Sequence, residues 1–354
     1  MVTAWGQDEI LGIRLPISRR DPADRGVMRR REFFGALSRT ALSVLAWAVT
    51  APVACAKRPP LGRPALEPIS PMPASTAGPV PPLRPVPSYP DLVVACGSNP
   101  RANVRRAIDA LGGIERFVKP GRKVVIKPNM THPREPEYAV CTNPEVVAEL
   151  VALCVEAGAA DVVVFDRGGE SQAEALRLSG IGDAVREAGG RSKELAEDDF
   201  QETAVPHGRL LRRWPLAGEA LEADVLINVP IAKHHNLAGL TMSMKNLMGL
   251  MGGDRSFMHL GIDQKIVDLN TRVRPHLIVL DAHRVLFRNG PISNDLNDVR
   301  RLDTLVAGTN QVSVDAFGAT LLGRRPEGIG YLAKASDQGL GSIDLKSLRL
   351  RRLR

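Results

Sequence analysis

The chain has 354 residues, of which 44% are hydrophobic and 4% aromatic, and its formal net charge is +8. Residues 1–56 carry eight Arg and five acidic residues, and the last nine residues carry five basic residues and no acid, so the body between them is close to neutral. Because the body has no basic stripe and few aromatic side chains for stacking on bases, nucleic acid is excluded as a partner.

The segment 28–56 has the layout of a secretory signal: a basic start, a moderately apolar run and then small residues. Arg30 and Arg31, followed by Glu-Phe-Phe, resemble a twin-arginine signal. We therefore expect the twin-arginine export machinery as a partner, with translation starting at Met28. The alternative is an amphipathic helix with a basic start, and the apolar run is too short to predict a membrane span.

The end of this segment allows two outcomes. Ala54-Cys55-Ala56 fits a cleavage site, whereas a lipid anchor on Cys55 is disfavoured by Pro52; we favour cleavage.

Residues 57–90 then hold 12 of the 27 prolines, which prevents a packed core and predicts an extended linker of roughly 100 Å. The expected location is the periplasm or cell envelope.

From residue 91 onward, short apolar runs rich in Val and Ile alternate with helical patterns. Strands are predicted at 91–97, 123–129, 160–166, 223–230, 276–282 and 303–310, and a helix at 143–159. This alternation indicates an α/β fold, with a largely parallel sheet and helices on both faces. Residues 202–218 are predicted to be a small hairpin insertion. The α/β domain is placed at 91–345 and a basic tail at 346–354, which could touch acidic lipid headgroups weakly.

The predicted strands end on polar residues: Lys127 and Asn129, Asp166, Asn228, Asp281, and Thr309 with Asn310. In open α/β sheets, ligands bind outside the carboxyl ends of the strands. These residues are therefore predicted to share a ligand crevice, although a single polar strand end is ordinary loop chemistry.

The stretch 228–259 holds three of the seven histidines, His234, His235 and His259, among methionines and glycines. A helix is predicted over 240–251, with the apolar stripe Leu240, Met244, Leu247 and Met251 packing into the core. Thr241, Lys245 and Gly249 are four residues apart on another face. A lysine beside small residues suits a bound anion, so this stretch is predicted to form one wall of the crevice.

These motifs resemble the domain of unknown function 362 family over residues 90–325. The resemblance is carried by "VVIKPNM" (124–130), "TNPEVVAELVALCVEAGA" (142–159), "INVPIAKHH" (227–235), "GLTMSMKNLMGLM" (239–251), His259 and "IVLDA" (278–282). Two features depart from it: Ile231 stands where relatives often have a second lysine, and a ferredoxin-like cluster segment is missing. The resemblance implies a fold but no reaction.

The order of parts is also similar, more weakly, to the nickel-pincer lactate racemase family. There, a lysine carries the nickel cofactor and histidines ligate the metal or move the substrate proton. Lys245 has His235 ten residues before it and His259 fourteen after it. However, a histidine that the racemases place after the second strand is replaced here by "FDRGGES" (165–171), which counts against racemisation.

Nine residues are predicted to form the site. Lys127, Asn129, Lys233 and Asn246 are assigned to ligand binding, because lysines on separate loops can clamp a carboxylate or phosphate. His235, Lys245, His259, Asp166 and Asp281 are assigned to catalysis. His235 and His259 are also candidate ligands of a metal ion or nickel-type cofactor. Only three cysteines follow residue 90 and none forms a C-x-x-C pair, so no self-contained iron–sulfur cluster is expected.

Two functions follow from these assignments. The first is an exported enzyme, dependent on a cofactor or metal, that acts on a small anionic metabolite. The second is a non-catalytic periplasmic protein that binds a ligand or a redox partner through the same crevice.

Overall fold

The computed structural model describes residues 89–169 and 171–354. The predictions for the start codon, the twin-arginine signal, Cys55 and most of the linker lie outside these residues. Within them, the strands are β1 (Leu92–Cys96), β2 (Lys123–Pro128), β3 (Asp161–Val164), β4 (Arg191–Ser192), β5 (Phe200–Ala204), β6 (Arg213–Ala217), β7 (Val225–Val229), β8 (Ile231–His235), β9 (Gly239–Thr241), β10 (Leu277–Leu286), β11 (Val299–Gly308) and β12 (Leu350–Leu353). The α-helices are α1 (Pro100–Ala110), α2 (Pro144–Glu156), α3 (Gln172–Leu178), α4 (Ile181–Glu187), α5 (Gly218–Glu222), α6 (Ser243–Asn246), α7 (Ile262–Arg272), α8 (Gln311–Leu321) and α9 (Gly330–Asp337).

The main sheet has the strand order β12-β1-β11-β10-β7-β2-β3-β4, with β8 paired to β10 and β9 paired to β8. Along this path, β11 runs antiparallel to both of its neighbours, and the remaining pairs are parallel. Continuous Val and Ile runs such as β7, which is buried at every position, suit strands covered on both faces. The prediction of a largely parallel α/β sheet is confirmed.

Helices cover both faces of the sheet. On one face α1, α2 and α4 contact one another, and on the other α6, α7, α8 and α9 do so. The helix predicted at 143–159 is observed as α2. Its N-cap Asn143 accepts a hydrogen bond from the backbone N–H of Glu145, Pro144 occupies the first turn, and Gly158 beyond its end has φ +81°, as the capping preferences of helices require.

Alternate residues of the strands enter the core beneath α1, α2 and α4, including Val124 and Ile126 of β2 and Ile227 of β7. Because side chains alternate across a strand, Lys127 and its register partner Asn228 point to the opposite face. The face that carries α6 to α9 is therefore the one that receives these polar side chains.

The predicted hairpin insertion is confirmed. Strands β5 and β6 form a separate two-stranded antiparallel sheet, with Phe200 opposite Ala217. The segment predicted as a basic tail contains β12, which pairs in parallel with β1. No helix among residues 89–169 and 171–354 is long and apolar enough to cross a membrane.

The prediction of one helix over 240–251 is wrong. Thr241 belongs to β9, opposite Lys233 of β8, and only α6 and a short 3-10 turn at Leu247–Leu250 are helical. The carboxylate of Asp315 fixes the start of α6 by accepting the backbone N–H groups of Ser243 (2.7 Å) and Met244 (2.9 Å). The methionines and leucines resemble the apolar stripe of a helix because every residue of 240–251 except Lys245 is buried, whatever its secondary structure.

The strand-end prediction is also wrong for Thr309 and Asn310. Because β11 is antiparallel, its last residue, Gly308, lies opposite Ile278 near the start of β10. The carboxyl end of β11 therefore lies next to the amino end of β10, at the end of the strands opposite to the predicted crevice. Strand direction depends on pairing across the chain, which the local pattern does not record.

Candidate functional site

A cleft of about 350 Å³ opens at the carboxyl end of the parallel strands β2 and β8. Six of the nine predicted site residues line it, and all lie after or within β2, β8, α6 and the turn before α7: Asn129, Lys233, His235, Lys245, Asn246 and His259. Thr241 and Gly249 line the same cleft. The grouping of these two residues with Lys245 therefore holds, although no continuous helix presents them.

Two further predicted residues, Lys127 and Asp166, lie directly behind the cleft as a buried ion pair. Nζ of Lys127 is 2.8 Å from Oδ1 of Asp166, and both side chains are at most 1% exposed. Oδ2 of Asp166 accepts the backbone N–H of Met130 at 2.6 Å. Burial lowers the pKa of Lys127, and the neighbouring Asp166 carboxylate opposes that shift. The pair joins the ends of β2 and β3.

Asn246 is the centre of the hydrogen-bond network in this region. Its Oδ1 accepts from Nζ of Lys127 (2.8 Å) and from Nδ2 of Asn129 (2.9 Å), and its Nδ2 donates to Oδ1 of Asn228 (2.8 Å). Asn129 in turn accepts from Nζ of Lys233 at 3.1 Å. Asn246 of the short helix α6 thus holds Lys127 of β2 directly and Lys233 of β8 through Asn129.

Lys233 is fully buried, and its ammonium donates to Asn129 and to the backbone carbonyl of Val140 (2.7 Å). Burial is the main cause that lowers the pKa of Lys233 to about 8. No carboxylate contacts its Nζ among the described residues. The hydrogen bonds of this ammonium are therefore accepted by neutral oxygens, and the charge of Asp166 acts on it without direct contact.

The side chain of Lys245 has neither a hydrogen bond nor an ion pair among residues 89–169 and 171–354. Burial, reinforced by the charges of Lys233, Lys127 and Arg255, lowers the pKa of Lys245 to about 7. A substantial fraction of this side chain is then the neutral amine at neutral pH.

His235 is buried, and its Nδ1 lies 3.1 and 3.2 Å from the backbone N–H groups of Leu237 and Ala238. Burial first, and then the charge of Lys245, lowers the pKa of His235 to about 3. The ring is therefore neutral. Because Nδ1 accepts, Nε2 must carry the proton and can donate to a ligand.

His259 is exposed at the mouth of the cleft, and its Nδ1 is 3.1 Å from the carbonyl oxygen of Ser256. His259 therefore has Nε2 available for a metal, whereas Nε2 of His235 carries the ring proton and has no lone pair to offer while Nδ1 accepts hydrogen bonds. Protein-bound zinc uses three or four protein ligands. No group of three or more His, Cys, Asp or Glu side chains in the described part of the chain is arranged to hold a metal ion. The metal and nickel-cofactor assignments stay predictions.

Asp281 lies away from the cleft. Its Oδ2 accepts the backbone N–H of Asn143 at the start of α2 (2.9 Å), and its Oδ1 is 3.1 Å from Nδ1 of His283. Nε2 of His283 is 2.9 Å from Nδ2 of Asn103 in α1. These contacts tie two helices to β10.

Among the side chains that line the cleft and that sequence reasoning missed, two can carry a positive charge, His132 and Arg255. The guanidinium of Arg255 donates to the carbonyl oxygens of Arg167 (2.7 Å) and Gly168 in the loop after β3. Burial lowers the pKa of Arg255. His132 follows the end of β2 by a few residues, a position that could have flagged it; nothing local marks Arg255.

Comparisons with known proteins agree on the family. Residues 124–320 match the family described as "Domain of unknown function (DUF362)". A thylakoid-associated protein of Synechocystis sp. is 30% identical over 253 residues, which cover 68% of this chain and 75% of the relative.

Two solved structures are similar at lower levels. The lactate racemase apoprotein of Thermoanaerobacterium thermosaccharolyticum gives a TM-score of 0.40 at 13% identity, over 65% of this chain and 56% of the other. A protein of Thermotoga maritima gives 0.40 at 12% identity, over 68% and 60%. This chain thus spans less than two thirds of either structure, and neither likeness bears on activity.

Proposed function

The chain belongs to the domain of unknown function 362 family, and we propose that it is an enzyme that binds a small carboxylate or phosphate in this cleft and moves a proton on it. The observation that carries the proposal is Lys245, an amine that lines the cleft and has no partner within the described part of the chain.

The charge balance supports an anionic ligand. Lys233, Lys245 and Arg255 all line the cleft, and the nearest buried carboxylate, Asp166, is already paired with Lys127. Buried cations without a counter-charge are costly. A bound carboxylate or phosphate would supply the missing negative charge.

The titration behaviour supports acid–base chemistry. With a pKa of about 7, Lys245 can accept and return a proton near neutral pH. The neutral His235 would donate a hydrogen bond from Nε2 to an oxygen on which negative charge develops. Lys245 would thus act as the base and His235 as the electrophilic hydrogen-bond donor towards the same ligand.

The test is calorimetric titration of the full chain with propionate and with inorganic phosphate. Lys245→Ala should weaken the binding of at least one anion by about tenfold or more, since hydrogen bonds to charged groups contribute about 1.5–3 kcal/mol. The matched control is Lys346→Ala, because Lys346 is exposed and does not line the cleft. This variant should bind the anions as the unaltered protein does. Equal affinities of the two variants would refute the proposal, and binding without turnover of any such anion would favour a non-catalytic carrier.

We also propose export by the twin-arginine machinery, with release into the periplasm or cell envelope. This rests on the sequence of residues 28–56. Changing Arg30 and Arg31 to lysine should leave the uncleaved precursor inside the cell, as cell fractionation would show. An unchanged envelope fraction would refute the proposal.

A further inference from the structure

Thr241 and Lys245 each bring to the cleft a polar group that has no partner among residues 89–169 and 171–354. Besides the amine of Lys245, the hydroxyl Oγ1 of Thr241 is buried without a hydrogen bond, on a side chain that is 3% exposed. Both residues line the same cavity. Buried polar groups are nearly always hydrogen-bonded, and leaving one unsatisfied costs about 1–3 kcal/mol. The arrangement therefore indicates that this cleft receives a ligand with polar atoms.

Lys245 also differs from the two cations beside it. Lys233 and Arg255 each donate to backbone carbonyls, which fix the positions of their charged groups. Their remaining N–H groups are then available as donors to an anion. No such contact holds Lys245, whose charged form is disfavoured by burial and by its cationic neighbours. A desolvated lysine next to other cations is the usual arrangement of a lysine nucleophile that attacks carbonyl groups.

We propose that the cleft takes a small 2-oxo acid and that Nζ of Lys245 forms a Schiff base with its carbonyl carbon. The proposal rests on the anion-binding function above and narrows its substrate class. The carboxylate of the ligand lies towards Lys233 and Arg255, and its oxo group faces Lys245. The cavity of about 350 Å³ admits a ligand of this size.

The covalent step is balanced without an oxidant or a reductant. The lone pair of the neutral amine forms a bond to the carbonyl carbon, and the carbonyl oxygen takes up a proton, which gives a carbinolamine. The nitrogen then returns one proton to solvent, which balances the one that the oxygen took up. The hydroxyl group takes up a second proton from solvent and leaves as water while the nitrogen lone pair forms the C=N bond, which gives the protonated Schiff base. Nε2–H of His235 and Oγ1 of Thr241 are the neutral groups available to hydrogen-bond that oxygen.

The experiment traps the Schiff base. The full chain is incubated with pyruvate and sodium cyanoborohydride, digested, and mapped by mass spectrometry for carboxyethyl-lysine. Because an ordinary lysine is almost entirely protonated at neutral pH, we expect Lys245 to be labelled about tenfold or more above the exposed Lys346. Equal labelling of the two lysines would overturn the inference.

Variants and competition separate this inference from anion binding itself. Lys245→Arg keeps a positive charge and removes the nucleophile, so no adduct should form at that position. Excess propionate, which has no oxo group, should suppress labelling of Lys245 and leave Lys346 unchanged; this arm uses the unaltered protein. Propionate binding without a pyruvate adduct would overturn the Schiff base and leave the proposed function standing, whereas the absence of both would overturn both.

Discussion

Replacing Gly249 with alanine tests whether the buried ion pair behind the cleft holds the site together. An added Cβ would overlap Oδ1 of Asp166 and lie 2.7 Å from Nζ of Lys127. Overpacking a core costs about 1–3 kcal/mol, and separating a buried pair costs about 3–5 kcal/mol. Because the backbone can yield in part, we expect a loss of about 3 kcal/mol in the free energy of unfolding.

The assay is urea unfolding of the full chain followed by circular dichroism, with the midpoint compared at unchanged slope. The matched control is Gly328→Ala, since an added Cβ there meets nothing within 4 Å; it should change stability by at most about 0.5 kcal/mol. A Gly249→Ala variant as stable as this control would refute the reasoning.

A double-mutant cycle assigns the loss to the ion pair. Asp166→Ala removes the oxygen that the new Cβ would strike. In that background, Gly249→Ala should therefore cost less than it does alone, by about 0.5–3 kcal/mol of coupling. Full additivity would place the cost in the backbone of residue 249 instead.

Three further predictions concern the neighbouring polar groups. Asp281→Asn should lower the free energy of unfolding by about 1–3 kcal/mol, because it weakens the contact with His283, and should leave propionate affinity unchanged; lost binding at unchanged stability would contradict the placement of Asp281 outside the cleft. Asn246→Leu leaves one N–H group of Lys127 and one of Asn129 without an acceptor, so urea unfolding should show a loss of about 2–6 kcal/mol, and a loss below that range would show that the network relaxes. Calorimetric titration at increasing pH should show propionate binding weaken from about pH 7, because Lys245 and then Lys233 lose their charge; a flat profile would contradict it. The free energy of unfolding should instead rise between about pH 7 and 10. In that range the unfolded lysines still hold protons that Lys245 and Lys233 have lost in the folded state.

Much of the fold was predictable because its signals are local. Residues 123–129 and 223–230 are short Val- and Ile-rich runs, and the helix at 143–159 carries its own proline start and glycine end, so each element is specified by its own residues. The hairpin at 202–218 is local in the same sense. The direction of β11 is not a local property, because it depends on the strands that flank it. The apolar run at 303–310 predicts a strand, but it does not indicate whether that strand is parallel or antiparallel to its neighbours.

The sequence by itself determined the composition of the cleft wall: stretch 228–259 supplies Lys233, His235, Lys245, Asn246 and His259, and all five line the cavity. Only the tertiary structure decided their environments. It joined Lys127 to Asp166 as one ion pair, held Arg255 on the loop after β3, and left Lys245 without a partner among the described residues. The physical reason is that a charge acquires its reactivity from burial and from neighbours that are distant in the chain, which no local pattern of residues records.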